Sequence, residues 1–297
     1  MNEKLNTFNH EKKSSEKLMV IAILAIALGI ILLLIGNQIP SEPLTVIGMI
    51  IMSIGIITGI VSGAQFAKIK KRFKHEVLSQ FFEEAIPGTK YIPEQGLMPI
   101  DVYQTEFLKR ADRFHSEDLI RGQMDDVDFV SSDVKLEERH VQHTKNGTRV
   151  YYVPYFIGRV FIFNFNKEFE GRLQVLEAGS PLSDFKFQRV KLESIDFNKK
   201  FRTFATNELT AFYILTPDIM EALFEVEKRN PGRIGLSFQG DHLYIAINNN
   251  KDTFEIKMFQ KIDDHMMDEF RRDLLVIQDF IHTLKLNTKI FKRKTQN

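Results

Sequence analysis

The sequence predicts a membrane-anchored α+β protein. It opens with a transmembrane helical hairpin, followed by a mostly antiparallel β-sheet domain with one covering helix and a C-terminal helix. Three observations predict this. The 297 residues include 40 Lys or Arg and 39 Asp or Glu, yet residues 18–67 hold no Lys, Arg or Asp and a single acid, Glu42. From about Val127 the apolar pattern turns to a period of two, as in strands. Near the end, Phe270, Leu274, Ile277, Ile281 and Leu284 recur at helical spacing.

The hairpin comes first. Residues 18–35 read LMVIAILAIALGIILLLI, which as a helix spans about 27 Å, close to the hydrocarbon thickness of a bilayer. A second apolar run covers residues 44–67, and the loop between them carries Pro40 and Pro43. The spans are expected at about 18–36 and 44–67, antiparallel. A cleaved signal peptide fits the first run poorly, because Glu3, Glu11 and Glu16 precede it and no small-x-small site follows. Lys4, Lys12, Lys13 and Lys17 flank one side, and the cluster Lys68, Lys70, Lys71, Arg72 and Lys74 flanks the other. Basic residues stay on the cytosolic side, so both the N-terminus and the C-terminal domain are expected in the cytosol. Gly55, Gly59 and Gly63 form two overlapping G-x-x-x-G repeats, a face on which another membrane helix can pack closely. No charged side chain lies within either span, which disfavours proton relays and ion-coupled transport.

The remaining plan is a tail over 1–17, a juxtamembrane helical connector over 68–125, an α+β domain over 126–262, and a C-terminal helix with basic tail over 263–297. Within the connector, residues 101–114 read as a short helix. Strands are expected over 150–157, 159–165, 172–176, 185–192 and 212–215, then a meander of 234–238, 243–247 and 254–259. Asn146-Gly147 suits a two-residue hairpin turn. Thr216-Pro217-Asp218 suits a helix start and Asn230-Pro231-Gly232 a stop. The C-terminal stripe is a candidate interaction helix, docking either on its own sheet or on a partner.

The chemistry is sparse. There is no cysteine, which removes disulfides, thiol catalysis and Cys-ligated metals. The net charge of +1 gives no sign of a polyanion binder. His140 and His143 are spaced like a metal pair but lack a third ligand nearby. Asp125, Asp126, Asp128 and Asp133 resemble half a calcium loop, yet Val130 and Leu136 stand where its glycine and closing glutamate belong. Phe161, Phe163 and Phe165 could stack bases, but Arg159 is the one basic residue among them, so core packing is expected and nucleic acid is not. Neither catalytic residues nor a cofactor is expected.

Four stretches in order resemble a known bacterial family. They are Glu117-Asp118-Leu119-Ile120 with Gly122; residues 156–167, beginning Phe156-Ile157-Gly158-Arg159; residues 192–201; and Tyr213-Ile214-Leu215-Thr216-Pro217 with the later Ser237-Phe238 and Leu243-Tyr244-Ile245. Together, over roughly residues 73–259, they are similar to a domain of unknown function, family 3137. The resemblance implies two membrane spans, a cytosolic domain and an inner-membrane location in a bacterium. It also implies a neighbouring LemA-type membrane protein, and it supplies no reaction. Where that family tends to place an acid and an arginine, this chain has Asn207 and Phe212. The leading expectation is a membrane-tethered accessory or scaffold protein that binds a protein partner or itself. A membrane-bound enzyme or small-ligand sensor is the alternative, and a homo-oligomeric pore the second alternative.

Overall fold

The computed structural model describes residues 2–39, 42–145, 147–182 and 186–287; for residue 2 and residues 165–169 it describes the backbone. Pro40, Ser41, Asn146, the start of the expected strand at Phe185 and the basic tail of Lys289 to Lys294 lie outside the described residues. The chain divides into two units, Met1–Gln80 with Glu255–Asp268, and Phe81–Phe254 with Glu269–Asn297.

The first unit is built on two long helices, α1 (Asn2–Gln38) and α2 (Glu42–Phe73). Both are long and apolar enough to cross a membrane. Large side chains such as Leu24, Leu34, Ile57 and Ile60 point outward and are exposed, a surface suited to lipid rather than to water. The helices meet through small residues. A Cβ on Gly29 would stand 2.7 Å from Met52 Cβ, one on Gly48 3.1 Å from the Gly29 carbonyl, and one on Gly55 2.8 Å from Ile26 Cγ1. Ser15 and Ser62 lock the other end reciprocally: Ser15 Oγ donates to the Ser62 carbonyl at 2.9 Å and Ser62 Oγ to the Ser15 carbonyl at 2.7 Å.

Within the segment expected as a tail over 1–17, residues 2–17 are instead the first turns of α1. Leu5, Phe8, Asn9, Lys12 and Ser15 are buried. Among them, Asn9 and Lys12 bond backbone groups of Lys257, Gln260 and Ile262, far along the sequence. After α2 the helix passes through one π-helical turn, Lys74–Leu78, and continues as α3 (Ser79–Ala85).

The second unit is one antiparallel sheet with helices on its faces. Its strands are β1 (Lys90–Ile92), β2 (Arg113–Met124), β3 (Val127–Thr144), β4 (Gly147–Leu176), β5 (Gln188–Val190), β6 (Arg202–Ala205) and β7 (Arg233–Asn248). The order is β1-β2-β3-β4-β6-β5, with β7 on the other edge of β4. β4 is thus the spine, paired with β3 and then β6 on one side and with β7 on the other. Alternate residues of β4 face opposite ways. Phe156, Val160 and Ile162 join Leu97, Val102, Leu108 and Leu136 on one face. Phe161 and Phe163 pack on the other against Phe280 of α8 (Asp264–Thr283), with ring centroids 5.1 and 5.9 Å apart.

Several expectations are corrected here. The helix expected over 101–114 shrinks to α4 (Pro99–Tyr103), and Arg113 and Phe114 open β2. The connector expected over 68–125 is helical through Ala85 and then gives way to sheet, since β1 and β2 pair with each other and β2 with β3. Residues 212–215 lie in and just past a helix, α6 (Glu208–Ile214), because Asn207 caps it by accepting from the Leu209 N–H at 3.0 Å. Residues 234–247 form a single strand, not two. The Gln239-Gly240-Asp241 turn is instead an irregular rung, where Gly240, with φ of 58°, opposes Phe169 across a register shift in β4. Residues 254–259 form turns rather than a strand. Helices α5 (Ile195–Lys200) and α7 (Pro217–Arg229) complete the unit. In α7 the expected cap is in place, with Thr216 Oγ1 accepting from the Ile219 N–H at 3.4 Å.

Candidate functional site

The most polar part of the interior lies where β3 and β4 face α8. Arg159 interrupts the apolar run of β4 and is 5 % exposed. Its three nitrogens are all engaged. Nε donates to Ser131 Oγ at 3.3 Å, Nη1 to Asp133 Oδ1 at 3.1 Å and Nη2 to the Asp118 carbonyl at 2.8 Å. The guanidinium also lies 4.8 Å from the centre of the Phe254 ring. Asp133 is held on its second oxygen by the Thr253 N–H at 2.6 Å. Asp118 sits at a bulge of β2 with φ of 57°, which turns its carbonyl toward Arg159. Its carboxylate accepts from the Tyr91 hydroxyl.

Burial pushes the Asp133 carboxyl up, to about 7, against the pull of the Arg159 guanidinium. Burial, together with the Asp118 charge, also raises the Tyr91 hydroxyl above its ordinary range. Asp118, Asp133 and Asp252 each bring a carboxylate oxygen within 4.8 Å of the others, an oxygen set that would suit a hard cation. Arg159 already supplies the positive charge there, and both Asp133 oxygens are engaged. The arrangement works as a polar staple that fixes the β2, β3 and β4 backbones.

Arg159 also floors a groove of about 520 Å³ beneath α8 and the end of α7. The groove is rimmed by ion pairs, Lys251 with Asp273 at 2.6 Å and Arg229 with Asp279 at 3.6 Å. A second cavity, of about 620 Å³, is lined by Tyr103, Glu106, Arg110, Arg172 and Tyr244. Glu106 has a left-handed φ of 59°, and its Oε2 is buried without a hydrogen-bond partner.

The third feature is the far end of the β3–β4 hairpin. Residues 138–144 pair with residues 147–153, Glu138 opposite Val153 through Thr144 opposite Gly147, and with no other described strand. They form a two-stranded ribbon about 24 Å long. Val141 and Val150 face each other across it, and both are exposed, as are Tyr151 and Val153.

The residues singled out in the sequence are distributed among these features. His140 and His143 lie in the ribbon, three positions apart and hence on opposite faces. His140 stacks on Tyr151 and His143 meets Thr148, so the two do not converge. Asp125 and Asp126, both at positive φ, are the two-residue turn of the β2–β3 hairpin. Asp133 is in the staple, and the four acids form no loop. Phe161 and Phe163 are covered by Phe280 and offer no stacking platform; the Phe165 side chain lies outside the description.

Of the expected packing glycines, Gly55 touches the first helix, Gly59 stands 3.6 Å from Ala22 at its would-be Cβ, and Gly63 faces open space. In the basic cluster, Lys70 and Lys74 pair with Glu255, and Arg72 pairs with Glu11 at 2.8 Å and Glu76 at 3.1 Å. Lys68 and Lys71 are exposed. The stripe Phe270, Leu274, Ile277, Ile281 and Leu284 is buried in the chain's own core, so it presents no open apolar face to a partner helix.

Residues 155–286 match the family described as "Protein of unknown function (DUF3137)". The DUF3137 match starts within β4, later than the resemblance at Phe73, and runs past Phe259 through α8. It therefore contains Arg159, the floor of the groove and the helix that covers it. The comparison with curated proteins finds no match. Among solved structures, the crystal structure of the mycobacterial trehalose monomycolate transport factor A, TtfA, shows a distant likeness. It has a TM-score of 0.39 and 9 % identity, over 71 % of this chain and 96 % of that one.

Proposed function

We propose that this chain is a membrane-tethered, non-enzymatic accessory or scaffold protein whose second unit lies in the cytosol and binds a protein partner through the β3–β4 ribbon. The observation that carries this reading is the ribbon itself. A two-stranded hairpin is marginal in water on its own. Beyond Arg139, whose N–H donates to Asp112 Oδ2 at 2.7 Å, its long edges pair with no further strand among the described residues and so offer the template for adding a partner strand. Exposed Val141, Val150 and Tyr151 give such a partner apolar contacts. The staple around Arg159, with every nitrogen engaged, supports a structural rather than a catalytic interior. The cytosolic side follows from the basic residues flanking both spans.

Two experiments test the proposal. A photo-crosslinking residue at Tyr151 in native membranes should capture a discrete neighbour, for which a LemA-type membrane protein is the first to seek. Val141→Lys with Val150→Lys, on the exposed ribbon surface, should abolish that adduct while the protein still folds. No adduct from any ribbon position would refute the ribbon as the contact. For orientation, Ser41→Cys should react with an impermeant maleimide on intact cells and Ser79→Cys should not. The reverse labelling would place the second unit outside.

A small-ligand sensor has one observation in its favour, the orphaned Glu106 oxygen beside the 620 Å³ cavity. A ligand donating to it would raise the melting temperature of the wild type and not of Glu106→Ala.

A further inference from the structure

Segment 255–262 climbs along α1 toward the membrane, and one residue at its tip has no explanation in the protein interior. Asn9 holds the foot, its amide bonding both the Ile262 N–H at 2.9 Å and the Ile262 carbonyl at 2.6 Å. One turn further, buried Lys12 donates to the Lys257 carbonyl at 3.2 Å and to the Gln260 carbonyl. A further turn on, Glu16 accepts from the Phe259 N–H at 2.8 Å. From Asn9 to Glu16 the helix rises about 10 Å. Phe259 is the highest anchored point, about 3 Å of rise short of Leu18, where the apolar span begins.

Residues 257–260 form a tight turn, closed by the Gln260 N–H and the Lys257 carbonyl at 3.4 Å. Phe259 occupies its third position with φ of 65°, the place where such turns take Gly or Asn. A bulky aromatic there is a conformational outlier that must be compensated elsewhere. The ring is not buried in compensation, because Phe259 is 59 % exposed. Met258 precedes it, and Lys257 and Lys261 flank the pair.

We infer that the Met258-Phe259 turn is a lipid-interface wedge, which inserts its ring into the headgroup boundary of the same bilayer that holds α1 and α2. The partner is lipid rather than protein because the turn is fixed to α1 at Glu16, two residues before the apolar span begins at Leu18. An aromatic ring at that depth is favoured, and Lys257 and Lys261 reach anionic headgroups. The wedge goes beyond the proposed tether, since it would set the depth and tilt of the first unit in the bilayer.

The chain contains no tryptophan, so Phe259→Trp gives a single reporter in the full-length protein. In vesicles of mixed zwitterionic and anionic lipid, its emission should be shifted to the blue. It should be strongly quenched by lipid brominated near the headgroup, less by lipid brominated at the chain end, and shielded from aqueous iodide. Ile30→Trp, mid-span, should show the opposite depth preference. Water-like emission that iodide quenches and brominated lipid does not would overturn the proposal. A second variant guards against misfolding. Phe259→Gly suits the backbone, so thermal stability in detergent should be unchanged or raised; a large loss would mean the ring packs inside the protein and would equally overturn it.

Discussion

Arg159 and Asp133 stand directly opposite each other on β4 and β3, and the guanidinium donates to the carboxylate across that rung at 3.1 Å. Both side chains are buried, so each satisfies polar atoms of the other inside the sheet. Removing one strands the other. Arg159→Leu or Asp133→Leu alone should cost about 3–5 kcal/mol, and the double variant should cost clearly less than the sum of the two. Denaturant unfolding of the full chain in detergent checks both, and additive losses would show that the pair is not coupled.

The neighbouring position predicts a steric effect. A Cβ on Gly158 would stand 1.9 Å from the Ile247 carbonyl oxygen. β4 and β7 cannot keep this spacing around any side chain. Gly158→Ala should therefore cost about 3 kcal/mol or more, with amide exchange along β7 accelerated first. Wild-type protection at Ile247 in the variant would contradict this.

In the hairpin, the glycines divide by contact. Gly55→Leu should drive α1 and α2 apart, since its Cβ would meet Ile26 and the Ala22 carbonyl. Gly63→Leu should leave thermal stability unchanged, because nothing lies within 4 Å of its would-be Cβ. Equal losses for the two would show that the face acts between chains instead.

Glu16 predicts a pH dependence. Burial pushes its carboxyl up, but the Lys12 ammonium and the Phe259 N–H outweigh that and hold it below its usual value of 4.5. A folded-state pKa below the unfolded one gives stability that is complete above about pH 4.5 and is lost as pH falls through the lower folded value. Amide protection at Phe259 and Ile262 should therefore decline on acidification below that point. Glu16→Gln should flatten the decline, and a variant that declines as steeply as wild type would assign the effect elsewhere.

The parts of the fold legible in the sequence are those where local chemistry and tertiary packing agree. Thr216-Pro217-Asp218 starts α7 as its cap predicts, and the apolar stripe of α8 finds its own sheet. Legibility fails where a distant partner decides. Phe212 to Leu215 has strand composition, yet the Asn207 cap and α6 prevail. Gln239-Gly240-Asp241 has turn composition, yet β4 holds it in line. The staple was half visible, since an arginine amid the apolar run of β4 is itself a signal of a buried partner. Its acids were harder to find, because Asp118 depends on a bulge and Asp133 was drawn into a false calcium pattern. Nothing near Asn9 or Lys12 in the sequence announces that Ile262 and Gln260 complete them.

That last separation bears on how the protein is made. The Asn9 amide bonds a residue 253 positions away. At a synthesis rate of about 5–20 residues per second, α1 waits roughly 13–50 s for its covering segment. Throughout that interval Lys12 and Asn9 lack the backbone partners that segment 255–262 supplies. The strands of the sheet lie between the two partners in the chain, whereas most of α8 emerges after both. The clamp on α1 therefore closes only after every strand from β1 to β7 has been made.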